Sequence, residues 1–293
     1  DRVVHVPKPT MAGRIAIAKL YLDKVQLEPG KLEEFANSIA GLSVGWTGAD
    51  IKNLINEAAI STVLKNKPFI DKTEISLAFD NIILGLQKKY IMNDKEKALT
   101  AIHEAGHTVA KLFSDTAKTS ANEIHKITII PRGASLGVMM QIPTKDSISK
   151  TKQELLDDIL IAMGGRASEE LIFGKDCITT GASCDFEQAT QIAKYMVQAC
   201  GMSESIGYGS YTSNQPISDV MLAKIDEEVS KILLERYNHA LDVIRTHKQI
   251  LLLIAKFLYT YETLTGKEVM QLVKEGSIID KATPEVGLPY FNV

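Results

Sequence analysis

The feature that most restricts how this chain can fold is the stretch Ala101-Ile-His-Glu-Ala-Gly-His-Thr-Val-Ala110, which sets two histidines four residues apart inside an apolar periodic run. On an α-helix, residues four apart stand above one another on a single face. His103 and His107 can therefore point imidazole nitrogens at one metal ion, with Glu104 at the same rim. A carboxylate placed there can take the proton of a metal-activated water as it attacks a peptide carbonyl, the chemistry of a zinc-protease helix. The bland alternative is a buried helix with two hydrogen-bonded histidines and no metal. The glutamate between the histidines favours zinc, because the full pattern carries a definite mechanism. Ala98, Leu99, Ile102, Gly106, Val109, Ala110 and Phe113 form an apolar stripe, so the helix should be largely buried by its own domain. Asn93 with Glu96 can open it as a capping box. Gly106 costs about 1 kcal/mol against alanine in mid-helix, yet it lets another backbone approach beside the metal.

Catalytic zinc takes three protein ligands and keeps one position for water, so a further His, Asp or Glu is needed. The extended H-E-x-x-H-x-x-G-x-x-H form fails, because Ala110 and Phe113 stand at its glycine and third histidine. Glu123 lies in a polar linker and is poorly held for a ligand. Glu169, Glu170 and Asp185 remain, and spacing barely separates them. An aspartate at a helix start also complements the helix dipole, and Glu169 also reads as a solvated or outer carboxylate.

The 293 residues suffice for two domains, and 45% hydrophobic content supplies a core for each. A net charge of -3 with interspersed signs gives no field of the kind that collects nucleic acid. Cys177, Cys184 and Cys200 are odd in number and lack C-x-x-C spacing, which argues against a disulfide framework and for a reducing compartment. The most apolar run, from Ile250 to Leu258, is interrupted by Lys256 and is far shorter than the roughly 20 residues of a membrane helix. No signal peptide is visible, and a start at Asp1 suggests a piece of something longer.

From Asp1 to about Gln87 the pattern predicts an extended start at Val3, Val4 and Val6, then four helices. Thr10 caps the first, which carries Ile15, Ile17, Leu20 and Tyr21; the second spans Lys31 to Ala40. Thr47 with Asp50 and Asp71 with Glu74 offer reciprocal caps for the third and fourth. Lys88 to Asp94 reads as an inter-domain joint. His125 to Gly133 and Leu136 to Pro143 are the only convincing strands and should form a hairpin. Gly137, Val138, Met139, Met140 and Gln141 are the candidate edge on which an extended substrate pairs by its backbone. Lys150 to Ile172 is helical, interrupted by Gly164-Gly165, a mark of tight helix crossing, and stopped at Gly174. A loop to Ser183, a helix opened by Cys184-Asp185, a loop from Gly201 to Pro216, and helices at Asp219 to Thr246 and Lys248 to Tyr261 follow. A short helix capped by Thr265 and Glu268 comes last, before an irregular tail after Ile279.

His103-Glu-Ala-Gly-His107, Ile127-Thr-Ile-Ile-Pro-Arg-Gly133, Met163-Gly-Gly-Arg-Ala-Ser-Glu-Glu-Leu-Ile-Phe-Gly174 and Thr180-Gly-Ala-Ser-Cys-Asp185 together resemble the peptidase domain of the FtsH family of ATP-dependent membrane proteases. The resemblance implies Asp185 as the third zinc ligand and Glu169 as an outer carboxylate fixing a histidine's tautomer. Cys184 stands where the family commonly has Ser or Asn; it reads as small-residue packing beside the metal, with a soft ligand as the alternative. Asp1-Arg2-Val-Val and the stretch from Gly45 to Ala59 resemble the end of an AAA ATPase module and its helical lid. That implies Gly48 and Ala49 beside nucleotide in the parent protein and Arg2 in an arginine-finger segment. No G-x-x-x-x-G-K-[ST] loop occurs, so ATP and magnesium belong to the full-length parent and this chain should not hydrolyse ATP.

The expected fold is mainly α with a small β-hairpin: residues 1–87 the end of an AAA module with its helical lid, residues 88–293 a mostly helical zincin-type peptidase domain. The resemblance further implies a homo-hexamer acting on unfolded polypeptides and a membrane anchor in a missing N-terminal segment. Glu170 to Gly181 and Tyr261-Glu-Thr-Leu suggest the i-AAA branch of the mitochondrial inner membrane, with bacterial or plastid membranes as alternatives. The rival expectation is a catalytically silent helical scaffold subunit of such a hexamer.

Overall fold

Helix starts follow the capping residues. In the computed structural model, which describes residues 2–88, 90–117, 119, 122–133, 135–143, 146, 149–212 and 216–284, Thr10 caps α1 (Met11–Leu22) by accepting the Gly13 N–H. Helix α2 spans Leu32–Leu42, and Thr47 with Asp50 forms the capping box of α3 (Gly48–Leu64). Asp71 caps α4 (Lys72–Leu84) in one direction only. Glu74 does not return the bond. Its fully buried carboxylate instead accepts Ser61 Oγ at 2.6 Å, Lys65 Nζ at 2.9 Å and Lys67 Nζ at 2.7 Å. Two ammonium groups satisfy a buried charge better than one backbone N–H does.

Leu22, Phe35, Ile39, Ile51, Leu54 and Phe79 fill the core of this four-helix bundle, with Trp46 stacked on Phe79 at 5.6 Å. The inward face of α1 is Arg14, Ala18 and Leu22, while Leu20 points to solvent. Arg14 is buried because its Nε donates to Ala40 O at 2.9 Å and its Nη1 to Asp146 at 2.9 Å. Val3, Val4 and Val6 are exposed and form no ladder.

A second, larger core joins α5 (Asp94–Leu112), α6 (Lys152–Phe173), α7 (Ser183–Gln198), α8 (Asp219–Thr246), α9 (Lys248–Tyr261) and α10 (Gly266–Glu275). Capping boxes open α5 at Asn93/Glu96, α6 at Thr151/Glu154 and α10 at Thr265/Glu268. Helix α6 runs unbroken through Gly164-Gly165, contrary to the expected interruption; packing against α5 supplies what propensity lacks. Between α6 and α7, two 3-10 turns, Lys175–Cys177 and Thr180–Ala182, occupy the expected loop. Among the described residues, no helix is long and apolar enough to cross a membrane.

The sheet has three strands rather than two: β1 (Asn122–Thr128), β2 (Val138–Pro143) and β3 (Thr263–Thr265), antiparallel in the order β2-β1-β3. Strand β1 starts three residues earlier than expected and ends at Thr128, with a register shift between Ile124 and Lys126. Gly266 lets α10 begin against it, since a Cβ there would stand 1.8 Å from Ile124 O. Strand β2 lies at the sheet edge, and its alternation serves two cores: Met139 packs on the larger core, while Val138, Met140 and Ile142 pack into the helical bundle. Asp80 pairs with Lys126 across the same junction, and Arg132 donates to Asn81 at 3.0 Å. The chain is thus mainly α-helical with one small antiparallel sheet.

Glu74 makes the bundle sensitive to acid. Burial alone would raise its pKa, but hydrogen bonds from Lys67, Ser61 and Lys65 prevail and bring it down to about 2. A folded pKa below the unfolded value contributes stability fully above the unfolded pKa and loses it as pH falls through the folded one. Glu74→Gln should cost about 1–2 kcal/mol at neutral pH, both lysines being partly solvated. Melts followed by fluorescence of Trp46, the single tryptophan, should show this difference shrinking between about pH 5 and pH 2.

Candidate metal centre

The imidazoles of His103 and His107 sit one helical turn apart on α5, edge to face with centroids 4.7 Å apart. What aims them comes from α6. The Nδ1–H of His107 donates to the Ile161 carbonyl at 2.7 Å, and the Nδ1–H of His103 donates to Glu169 Oε1 at 2.7 Å. With both protons fixed on Nδ1, the Nε2 lone pairs of the neutral rings face a common point.

Helix α6 reaches this position because three glycines remove the obstacles. A Cβ on Gly106 would lie 2.4 Å from Gly164 O, and one on Gly164 2.7 Å from Gly106 O. One on Gly165 would lie 2.5 Å from His103 Nε2 and 2.7 Å from His107 Nε2. The Gly-Gly pair is therefore a helix crossing and also the floor under the rings. Only the first of these roles was readable from spacing.

Asp185 arrives from the first turn of α7. Its Oδ2 stands 3.2 Å from His103 Nε2 and 3.5 Å from His107 Nε2, and the two Nε2 atoms are 3.0 Å apart. A tetrahedral zinc with bonds of about 2.1 Å has ligand-to-ligand edges of about 3.4 Å. The three donors match such a face, and their converging lone pairs repel unless a cation lies among them. Without a metal ion a proton on Nε2 takes the cation's place, so the rings are then not both neutral. Burial opposes protonation of His103, but hydrogen bonds to Asp185 and Glu169 lift its pKa to about 10. Burial likewise opposes ionisation of Asp185, and hydrogen bonds from both histidines hold its carboxyl well below the ordinary range. The residues present fit zinc.

Glu104 is buried at the rim of this cluster, with Oε2 lacking a hydrogen-bond partner among the described residues. Burial raises its pKa, partly offset by the two histidines. The backbone N–H of Met139 on β2 donates to the same carboxylate, and a Cβ on Gly137 would approach Oε1 to 2.7 Å. The segment Gly137, Val138, Met139, Met140 and Gln141 thus runs past the carboxylate at an open sheet edge.

The other candidates sort by distance. Glu169 is buried behind His103 and also accepts the Thr179 N–H at 2.8 Å. Glu170 faces away, to Tyr237 and Lys175, and Glu123 lies on β1, paired with Ile142 of β2. Cys184 is exposed and stands outside the donor cluster His103, His107 and Asp185, against its expected place as packing. Gly48 and Ala49 start α3 in the helical bundle, and Arg2 is exposed. Ile161 and Thr179 are silent in the sequence, since a carbonyl and a loop amide carry no residue-type signal.

Residues 90–272 match Peptidase family M41. An Arabidopsis thaliana protein named ATP-dependent zinc metalloprotease FTSH 11, chloroplastic/mitochondrial, is 39% identical over 291 residues, covering 98% of this chain and 35% of its own length. The Mus musculus ATP-dependent zinc metalloprotease YME1L1 is 38% identical over 281 residues, 96% of this chain and 38% of its own. The Neorickettsia risticii ATP-dependent zinc metalloprotease FtsH is 38% identical over 291 residues, 97% of this chain and 45% of its own. The chain therefore spans less than half the length of these relatives. A donor set that fits zinc, on two helices lying within the matched region, and this degree of identity lead to one conclusion: the chain belongs to peptidase family M41, the FtsH-type zinc metalloproteases.

Proposed function

We propose that this chain is the zinc endopeptidase portion of a membrane-anchored, ATP-dependent protease that degrades unfolded or membrane proteins. The observation that carries the reading is the buried Glu104 carboxylate, with one oxygen unpartnered among the described residues, beside three converging metal donors. His103 Nε2, His107 Nε2 and Asp185 Oδ2 would hold the zinc. Zinc, when bound, supplies Lewis acidity that brings the pKa of water from 15.7 toward about 7. Glu104 Oε2 receives the proton of the attacking water and delivers it to the leaving amine nitrogen. Glu169 and the Ile161 carbonyl keep both imidazole protons on Nδ1, so that each Nε2 stays a donor. The edge of β2 from Gly137 to Gln141 pairs with the backbone of an extended substrate, which fixes the scissile bond without reading side chains.

Residues 1–87 serve as the end of an AAA module with its lid and residues 88–293 as the peptidase domain. Gly48 and Ala49 lie against nucleotide in the full-length protein, whose ATP and magnesium sites need segments outside this sequence. In this reading the full-length protein is a homo-hexamer at a membrane, with the mitochondrial inner membrane preferred; the relatives' names agree as far as ATP dependence in all three and a chloroplastic/mitochondrial location in one. A silent scaffold is disfavoured, because it has no use for a desolvated carboxylate beside the donors.

Two measurements test the site. Glu104→Gln should keep one zinc per chain and lose casein cleavage by about 10²–10⁴-fold, and cleavage at the original rate removes Glu104 from the mechanism. In chelator competition, Glu169→Gln should weaken zinc by about 10–100-fold and Asp185→Asn by more. The reverse order exchanges their roles.

A further inference from the structure

Asp185 must hold its carboxylate oxygen within a few tenths of an ångström of a metal position, yet the helix that carries it has no side-chain cap at its start. Helix α7 starts at Ser183 after Ala182, which offers no capping side chain, and the preceding residues are short 3-10 turns. Something outside that segment has to aim it. We propose that Arg166 is the positioning residue that holds the Asp185 segment against α6 and thereby sets the metal affinity of the site, a proposal that rests on Asp185 being a ligand.

Arg166 follows Gly165, the residue beneath the two rings, and its guanidinium reaches both sides of Asp185. Its Nη2–H donates to the Thr179 carbonyl at 2.8 Å, and its Cζ lies 5.0 Å from the centroid of Phe186, the residue after Asp185. Thr179 then continues the tie toward the other ligands. Its N–H donates to Glu169 Oε2 at 2.8 Å and its hydroxyl to Glu169 Oε1 at 3.3 Å, and the same Glu169 oxygen orients His103. One planar cation therefore links the carboxylate ligand, through Phe186, and a histidine ligand, through Thr179 and Glu169.

Simple packing does not explain the choice of residue. The buried Nε–H of Arg166 has no partner among the described residues, a cost that leucine or methionine over Phe186 would avoid. Its charge also has the wrong sign for a direct role, since a cation near the site repels the metal. The two readings predict opposite outcomes. Loss of Arg166 tightens zinc if only its charge matters and weakens zinc if it aims Asp185. Lysine is no substitute, because it lacks the flat fork that stacks and donates together.

The test is zinc affinity of the whole chain by competition with a fluorescent chelator, with the visible spectrum of the cobalt(II) form as a second readout. Arg166→Leu, which keeps apolar cover on Phe186, should weaken zinc by about 10–100-fold and shift the cobalt spectrum toward that of Asp185→Asn. In an Asp185→Asn background, Arg166→Leu should cost clearly less than it does in the parent, leaving only the part carried through Thr179 and Glu169, the signature of action largely through Asp185. Phe186→Leu serves where Arg166→Leu fails to fold by circular dichroism, and it should weaken zinc several-fold. Arg166→Leu, or Phe186→Leu in its place, binding zinc as tightly as the parent overturns the proposal, as does a fully additive loss in the double variant. Asp185→Asn binding zinc normally overturns the ligand assignment and the proposal together, so the two failures are told apart.

Discussion

Backbone contact between α5 and α6 is the constraint on which the rest of this structure depends. Gly106 and Gly164 face each other so closely that either Cβ would collide with the opposite carbonyl. Two helices normally keep 8–10 Å between axes, with side chains between them. Removing the side chains here lets α6 bring a carbonyl, a carboxylate and a bare Gly165 surface up to the imidazoles of α5. The mid-helix glycines sacrifice helix propensity, and the tertiary contact repays it with two histidines locked in one tautomer each. Ser168 adds to the same seam by donating to Ile102 O at 3.0 Å.

From that seam outward, charge is arranged by depth. Glu169 lies buried behind His103, Asp185 is partly solvated in front of it, and Glu104 is buried to one side. Three carboxylates around two imidazoles would repel one another without a cation. The site thus stores an electrostatic demand that a divalent ion meets. Glu104 differs from the other two in having no ion-pair partner among the described residues, which is why burial governs its behaviour and suits it to proton transfer.

The sequence disclosed the fold wherever information is local. Capping boxes at Thr47, Asn93 and Thr265 announce helix starts, and α8 and α9 run over the residues that their periodicity indicates. It failed where the partner is remote. Strand β3 contains a single buried residue, Leu264, too little alternation to show, and exists because β1 offers it an edge. Glu74 fitted a cap by spacing, but two lysines reach it more strongly. At the site, the pair of histidines and Glu104 were legible because a helix fixes their relation. Asp185 lay 78 residues beyond His107, and only family resemblance singled it out among several carboxylates. Arg166 and Thr179 carried no signal, since their meaning lies in a loop folded back on α6.

Strand β2 belongs to two structures at once. Its backbone and Met139 attend to Glu104, while Val138, Met140 and Ile142 are members of the helical bundle's interior. The bundle and the peptidase core are consequently not interchangeable modules. Cutting the chain between them would leave an edge strand with an apolar face bare to water, the kind of surface that recruits other strands. Transplanting the bundle from a relative would require Met140 and its socket to travel together, so the boundary that matters for engineering runs along the middle of a strand rather than through the joint before α5.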